Sequence, residues 1–264
     1  MKQHNKGIPL RKGSEVDGLR LSGKIAAEVL RKSAALVRPG VSTLEIDQAA
    51  AQFMADLGSR SAFLNYRGFP GHICISLNQE VVHGIGRANR IISNGDIVKI
   101  DVGIIKDGWV GDNATTVPVG AVRPEVYQLL RVTEESLLNA ITYAKPGGML
   151  RDLCGSVEKL TNRFGYSVVR NFVVHGVGRK LHEKPEVPNF FHKDIRTRLE
   201  PGMVLAIEPM VNLGSPEVNI LRTDNWTAVT ADGKASAHFE HMIIVTEGEP
   251  EILTPRERLT PPIG

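Results

Sequence analysis

Apolar residues recur at helical intervals from Ser14 to Val37, where Val16, Leu19, Ile25, Ala26, Val29 and Leu30 fall largely on one stripe. Ser14 is placed to cap this helix, and "RPG" ends it. A second helix is predicted to open at "STLE", where Ser42 and Glu45 have capping-box spacing, and to close at Gly58. The same signals return as a helix from Pro124 to Ala144, a "KPGG" stop, and another helix from Met149 to Gly165. Alternating or continuous apolar runs predict strands over 72–77, 96–105, 109–119, 168–174, 202–208, 226–230 and 241–246. Helices grouped before strands in each half predict an α+β fold, a sheet covered by helices on one side rather than a regular βαβ winding.

The repetition has one period. Pro39 and Pro146, Gly40 and Gly147, Gly58 and Gly165, and Asp101 and Glu208 are each 107 residues apart, which implies two related halves. A second echo, "VVHGIGR" at 81–87 and "VVHGVGR" at 173–179, has a spacing of 92, so the duplication does not superpose His83 on His175. The likeness reads as convergent local design, a strand ending in an exposed imidazole followed by glycines.

Composition narrows the class. Hydrophobic residues make up 42% and charged residues 23% of 264, as in ordinary globular chains. No apolar run approaches the roughly 20 residues needed to span a bilayer, and the basic N-terminus has no secretory pattern, so no membrane association and a cytoplasmic location are expected. Cys74 and Cys154 stand far apart, outside any CxxC spacing, and read as buried small hydrophobes. A net charge of +3 argues against a specific nucleic-acid partner, although Lys2, Lys6, Arg11 and Lys12 make residues 1–13 a basic arm. The arm reads as solvated.

Chemistry enters with acids in apolar strands. In "KIDVGIIKDGWVGDNATTV", Asp107 and Gly108 read as a turn, which places Asp101 and Asp112 on adjacent strands facing one another. Glu208 in "LAIEPMV" and Glu240 in "AHFEHMIIV" occupy equally apolar strands. Burying four carboxylates is costly unless cations compensate them, and Lys99 is the one basic residue in those strands. Carboxylates joined by imidazole, without thiolates, suit Mn, Fe, Co or Zn, and a pair of divalent ions would neutralise four acids. His175 is the imidazole candidate, because the glycine after it allows close backbone approach.

Together "VVHGIG", "KIDVGIIKDGWVGDNATT", "HGVGRKLHEKPEV", "IEPMV" and "HFEHM" make the chain resemble the type I methionine aminopeptidases from its first helix to its last strand. The resemblance implies the pita-bread fold, two pseudo-twofold-related halves with a curved antiparallel sheet. The expected organisation is one catalytic domain over 14–264, with halves of about 14–120 and 121–250. It also implies five ligands for two divalent ions: Asp112 and Glu240 bridging, Asp101 completing one ion, and His175 with Glu208 completing the other.

His83 and His182 match the two active-site histidines that bind no metal, the first beside the substrate amide and the second against the scissile carbonyl. The implied reaction is removal of the initiator methionine from nascent chains with a small second residue, by attack of a metal-bridging hydroxide, with Glu208 shuttling the proton. The matching methionine-pocket positions are Phe63, Tyr66, Cys74, Phe172 and Trp226. Phe63, Arg67, Gly86 and Leu181 depart from residues common in relatives and bear on pocket shape and on the loop after His83.

Two alternatives follow from the same fold. One is an X-Pro aminopeptidase, whose usual additional N-terminal domain is not expected in a chain that opens on its first catalytic helix. The other is a non-catalytic binding factor, against which all five ligand positions stand intact. The expected partners are nascent N-termini, with the basic arm and surface loops as candidate ribosome contacts, and the chain is expected to be monomeric.

Overall fold

The computed structural model describes residues 5–263. Four helices form where the periodicity predicts them: α1 (Ser14–Ala35), α2 (Thr43–Asp56), α3 (Pro124–Thr142) and α4 (Leu150–Asn162). Ser42 and Glu45 form the predicted reciprocal capping box, with Glu45 N donating to Ser42 Oγ and Ser42 N donating to Glu45 Oε2. Ser14 does not cap α1. It is the first helical residue, and Gly13 holds the cap position with no side-chain hydrogen bond.

The first half contributes β1 (Arg60–Ser61), β2 (Cys74–Leu77), β3 (Ile97–Lys106) and β4 (Trp109–Pro118). The second contributes β5 (Ser167–Val168), β6 (Val173–Gly176), β7 (Glu183–Pro188), β8 (Val204–Ile207) and β9 (Met210–Asn212). It continues with β10 (Val218–Ile220), β11 (Ala228–Thr230), β12 (Ser236–His238), β13 (Glu240–Ile244) and β14 (Glu251–Ile252).

The main sheet runs β1-β3-β4-β13-β8-β6-β7, with β2 beside β3 and β14 beside β13, and every pair in it is antiparallel. Its order is balanced about the β4–β13 junction, the pita-bread arrangement. Smaller sheets pair β10 with β11 and β9 with β12 and β5.

The two halves are related at the predicted period. α2 and α4 start at Thr43 and Leu150, and β3 and β8 at Ile97 and Val204, each 107 positions apart. Even an isolated bridge repeats at that interval, Ser42 with Ile91 and Met149 with Arg198.

Alternation along β3 separates the core from the site. Val98, Ile100, Val102 and Ile104 pack with Ile25, Val29, Leu30, Ile46 and Met54 of α1 and α2, whereas Asp101 projects from the other face. Burying each such aliphatic contributes about 1.5–3 kcal/mol, which holds the strand's register and therefore the acid's position. The β3–β4 hairpin turns at Asp107 and Gly108, both with positive φ, as the two-residue Asp-Gly turn requires. α3 covers β8 and β13 in the same way, and α4 packs against α3 and β5.

Several strands escape the periodicity. The predicted run 168–174 is split between β5 and β6. β7, "EKPEVP", carries charges and two prolines because it is the terminal strand of the sheet, where such residues are tolerated. The end of the basic arm is docked rather than free: Arg11 Nη2 lies 2.6 Å from Glu183 Oε2, and its backbone N donates to Gly202 O at 2.8 Å. Lys2 lies outside the described residues.

The chain's last segment is tied to α3 by one buried acid. Glu134 accepts from Arg256 Nη1, from the backbone N of Leu259 and Thr260, and from Thr260 Oγ1, at 2.7–3.0 Å. Glu134→Ala leaves the Arg256 guanidinium without its partner and is expected to lower unfolding free energy by about 3–5 kcal/mol. Urea denaturation measures it; a change below about 1 kcal/mol would show that the tie is dispensable.

Candidate metal centre

The sheet delivers its acids to one cavity. Asp101 and Asp112 project from the same face of the β3–β4 hairpin, but Asp112 pairs with Gly103 and Asp101 with Ala114, so the two carboxylates are diagonal rather than directly opposite. Gly103 carries no side chain because the Phe63 ring occupies the space where its Cβ would stand, 2.3 Å away. Glu240 opens β13 opposite Ala114, His175 lies within β6, and Glu208 follows β8.

These five side chains line a cavity of about 290 Å³ together with His83, His182, Phe63, Tyr66, Cys74, Phe172 and Trp226. All twelve of these ligand, histidine and methionine-pocket candidates line that cavity, as do Arg67 and Leu181, whereas Gly86 does not. Ligand atoms of Asp112, His175 and Glu240 lie within 4.8 Å of one another. His175 Nε2 is 3.2 Å from Glu208 Oε1 and 3.9 Å from Asp112 Oδ2.

The electrostatics describe a site short of positive charge. Burial, then the charges of Asp112 and Glu208, hold Asp101 well above the usual carboxylate range. Burial and neighbouring acids do the same to Glu240, and burial raises Glu208 and pushes Asp112 up to about 7. Burial pulls His175 down, but its hydrogen bond and attraction to Glu208, then to Asp112, outweigh this and raise it to about 9. Lys99 does not compensate the acids. Its Nζ donates to Asn78 O at 2.7 Å, and burial pulls its pKa down to about 7.

Asp101 Oδ1 and Asp112 Oδ1 are buried with no hydrogen-bond partner among the described residues. His175 Nδ1 lies 3.0 Å from Gly176 O, so a proton on Nδ1 donates there and leaves the Nε2 lone pair facing the acids. Orphaned carboxylate oxygens around an oriented imidazole lone pair fit a divalent cation.

The two "VVHG" segments differ in structure, contrary to the reading of both as a strand ending in an exposed imidazole. His175 is buried inside β6. His83 lies outside the strands in the left-handed region, φ 61°. Ile75 N donates to Gly84 O and Gly84 N to Ser76 Oγ, which pins the loop, and a Cβ on Gly86 would stand 2.9 Å from Asp47 Cβ.

Around the acids the walls are aromatic. His83 meets Phe172 and Trp226 edge-on, with ring centroids 5.3 and 6.4 Å away, and Trp226 meets Phe69 edge-on at 5.2 Å. Tyr66 stacks on His182, and its hydroxyl lies 2.9 Å from His182 Nδ1. Burial lowers His83 to about 4; burial and then His175, Arg67 and His83 lower His182 to about 3, so both are neutral at pH 7.

Phe69, Asn171 and Val173 also line the cavity and escaped the sequence reading, having no signal apart from their neighbours. His238, which does not line the cavity, escaped it too, although it stands two residues before Glu240.

Fold and site together define a metal-dependent peptidase of the pita-bread class, and a divalent metal as its cofactor. Residues 17–247 match metallopeptidase family M24, and the chain belongs to that family. Methionine aminopeptidase 1 of Bacillus subtilis is 45% identical over 240 residues, covering 91% of this chain and 96% of that protein. The crystal structure of methionine aminopeptidase from Thermotoga maritima has a TM-score of 0.92 at 39% identity, covering 94% of this chain and 100% of that one. A prolidase from Pyrococcus furiosus, at 21% identity and a TM-score of 0.78 over 66% of its own chain, shares the fold alone.

Proposed function

We infer that the chain is a methionine aminopeptidase, hydrolysing the bond after an N-terminal methionine. The observation carrying this is the buried Asp112–His175–Glu240 cluster at the acidic side of an aromatic-walled cavity, in a chain 45% identical to a methionine aminopeptidase. Likeness to prolidases is confined to the fold, which places the X-Pro reading second.

Asp101, Asp112, His175, Glu208 and Glu240 would hold two divalent ions. When bound, such ions supply Lewis acidity and make a water acidic enough to yield a nucleophile near neutral pH. Glu208, beside His175 at 3.2 Å, takes the proton of the attacking water and returns it to the leaving amine.

A Tyr66 O–H donated to His182 Nδ1, 2.9 Å away, would leave the neutral ring with its proton on Nε2, free to donate to the carbonyl oxygen as it gains charge. His83, held by its loop against Phe172 and Trp226, stands beside the substrate amide. Phe63, Tyr66, Cys74, Phe172 and Trp226 enclose the methionine side chain, and Arg67 and Leu181 shape its rim. Residues 14–264 form the catalytic unit. It acts in the cytoplasm on nascent N-termini at the ribosome; among the described residues no helix is long and apolar enough to cross a membrane.

Metal-stripped protein given Mn, Fe, Co or Zn in turn, then offered Met-Ala-Ser and Ala-Pro peptides, tests the reading. Methionine release with at least one ion is expected; preference for the proline peptide, or no release with any ion, would sink it. Tyr66→Phe frees the His182 tautomer and is expected to lower kcat about 3–10-fold with KM for Met-Ala-Ser little changed, as loss of one hydrogen bond of about 1 kcal/mol implies. An unchanged kcat would remove Tyr66 from this role.

A further inference from the structure

His238 has no part in the site so far, yet its placement is unusual. The side chain is 1% exposed, and neither Nδ1 nor Nε2 has a hydrogen-bond partner among the described residues. A buried imidazole that leaves an N–H unpaired costs about 1–3 kcal/mol relative to an apolar side chain filling the same space. The carboxylate facing it is Glu208, whose Oε2 lies 3.7 Å from His238 Nε2 while its Oε1 lies 3.2 Å from His175 Nε2. Glu208 is thus flanked by two imidazoles, one on each oxygen.

The two flanks are not equivalent. His175 lines the cavity and offers its Nε2 lone pair to a cation, so it cannot also donate a proton to Glu208 once that cation is bound. His238 does not line the cavity, which leaves its N–H available behind the carboxylate. Its backbone is clamped to β4: Thr116 Oγ1 donates to His238 O at 2.6 Å and accepts from His238 N at 3.0 Å. Asn189 Nδ2 donates to the backbone carbonyl of Glu208 at 3.3 Å. Both main chains are therefore held, and a small rotation of the Glu208 side chain closes the gap between Oε2 and Nε2.

We propose that His238 is a positioning residue that donates its Nε2–H to Glu208 Oε2, fixing the carboxylate so that Oε1 faces the cation and the attacking water. The inference rests on the role given to Glu208 above. It also assigns the tautomer: an acceptor at Nε2 keeps the proton there. An amide at the same reach can replace it, whereas an isosteric hydrocarbon cannot.

His238→Leu and His238→Gln, each checked for folding by thermal melting, separate positioning from packing. In His238→Leu, kcat on Met-Ala-Ser is expected to fall about 10–100-fold with KM within about twofold, and the calorimetric Kd for Mn²⁺ to weaken about tenfold, the scale of losing a hydrogen bond to a metal ligand. His238→Gln is expected to recover kcat and Mn²⁺ affinity to within about threefold of the parent, since its amide N–H reaches the same oxygen. A His238→Leu protein with parental kcat and Mn²⁺ affinity would overturn the proposal. So would a folded His238→Gln protein as impaired as His238→Leu. If the parent released no methionine with any ion, the aminopeptidase reading would fall, and the order of Mn²⁺ affinities would still decide whether His238 positions Glu208.

Discussion

Asp112→Asn, assayed on Met-Ala-Ser with saturating divalent ion, is expected to lose at least about a thousandfold in kcat/KM, or about 4 kcal/mol of transition-state stabilisation. Asp112 is the acid with a ligand atom close to those of both His175 and Glu240, and its Oδ1 has no hydrogen-bond partner among the described residues. An amide preserves the shape but removes the charge and one oxygen donor, so two cations can no longer share the group. Elemental analysis of the purified protein is expected to show substoichiometric metal. Activity within tenfold of the parent would remove Asp112 from the centre. In metal-free protein the same substitution is expected to raise the melting temperature by a few degrees, because desolvation of the buried carboxylate outweighs its attraction to His175 and is joined by repulsion from Glu208.

Metal removal should expose the frustration of the acids in the pH dependence of stability. Asp112 has its pKa raised from 3.8 to about 7 by burial, so between those values the folded chain keeps a proton that the unfolded chain has released. That contribution is full below about pH 4 and is lost as pH rises through 7. His175, raised to about 9, adds stability that is full below its unfolded value near 6.5 and is lost as pH rises through 9. Both act in one direction, against the lowered His83 and His182 below about pH 6.5 and the lowered Lys99 above about pH 7, so the site's share is read as a difference: between pH 5 and 7 the metal-free parent is expected to lose stability relative to Asp112→Asn.

Adding a divalent ion at about a thousand times its Kd should restore about 4 kcal/mol at the alkaline end, where the ligands are ionised. Urea denaturation at pH 5, 7 and 9, with and without chelator, measures this. The same metal-free pH profile in the parent and in Asp112→Asn would show that Asp112 is not electrostatically frustrated.

The helices and the central hairpin were readable because their signals are local. A capping box at Ser42 and Glu45 satisfies backbone groups three residues apart, and an Asp-Gly pair with positive φ closes two strands of matched length. β9, β10 and β12, of three residues each, were not readable, because runs that short show no period. β7 was hidden by its prolines and charges, which an edge position accepts. The five acid and imidazole positions stood out because polar residues in apolar strands need a reason, and His238 did not because it sits among them without being needed to explain the motif.

From residue spacing alone come the α+β class, the 107-residue kinship of the halves, and four acids with an imidazole whose chemistry requires cations. Those are consequences of local geometry and charge, which travel with the chain. Tertiary structure alone decided that Asp101 and Asp112 lie diagonally rather than opposite, that Lys99 turns to Asn78 instead of neutralising them, and that one "VVHG" becomes a buried strand while the other bends through a left-handed residue. The reason is that register and side-chain partners are set by packing between segments far apart in sequence. His175 meets Glu208 across β6 and β8, and His238 reaches the same carboxylate from β12, contacts that no single stretch of chain contains.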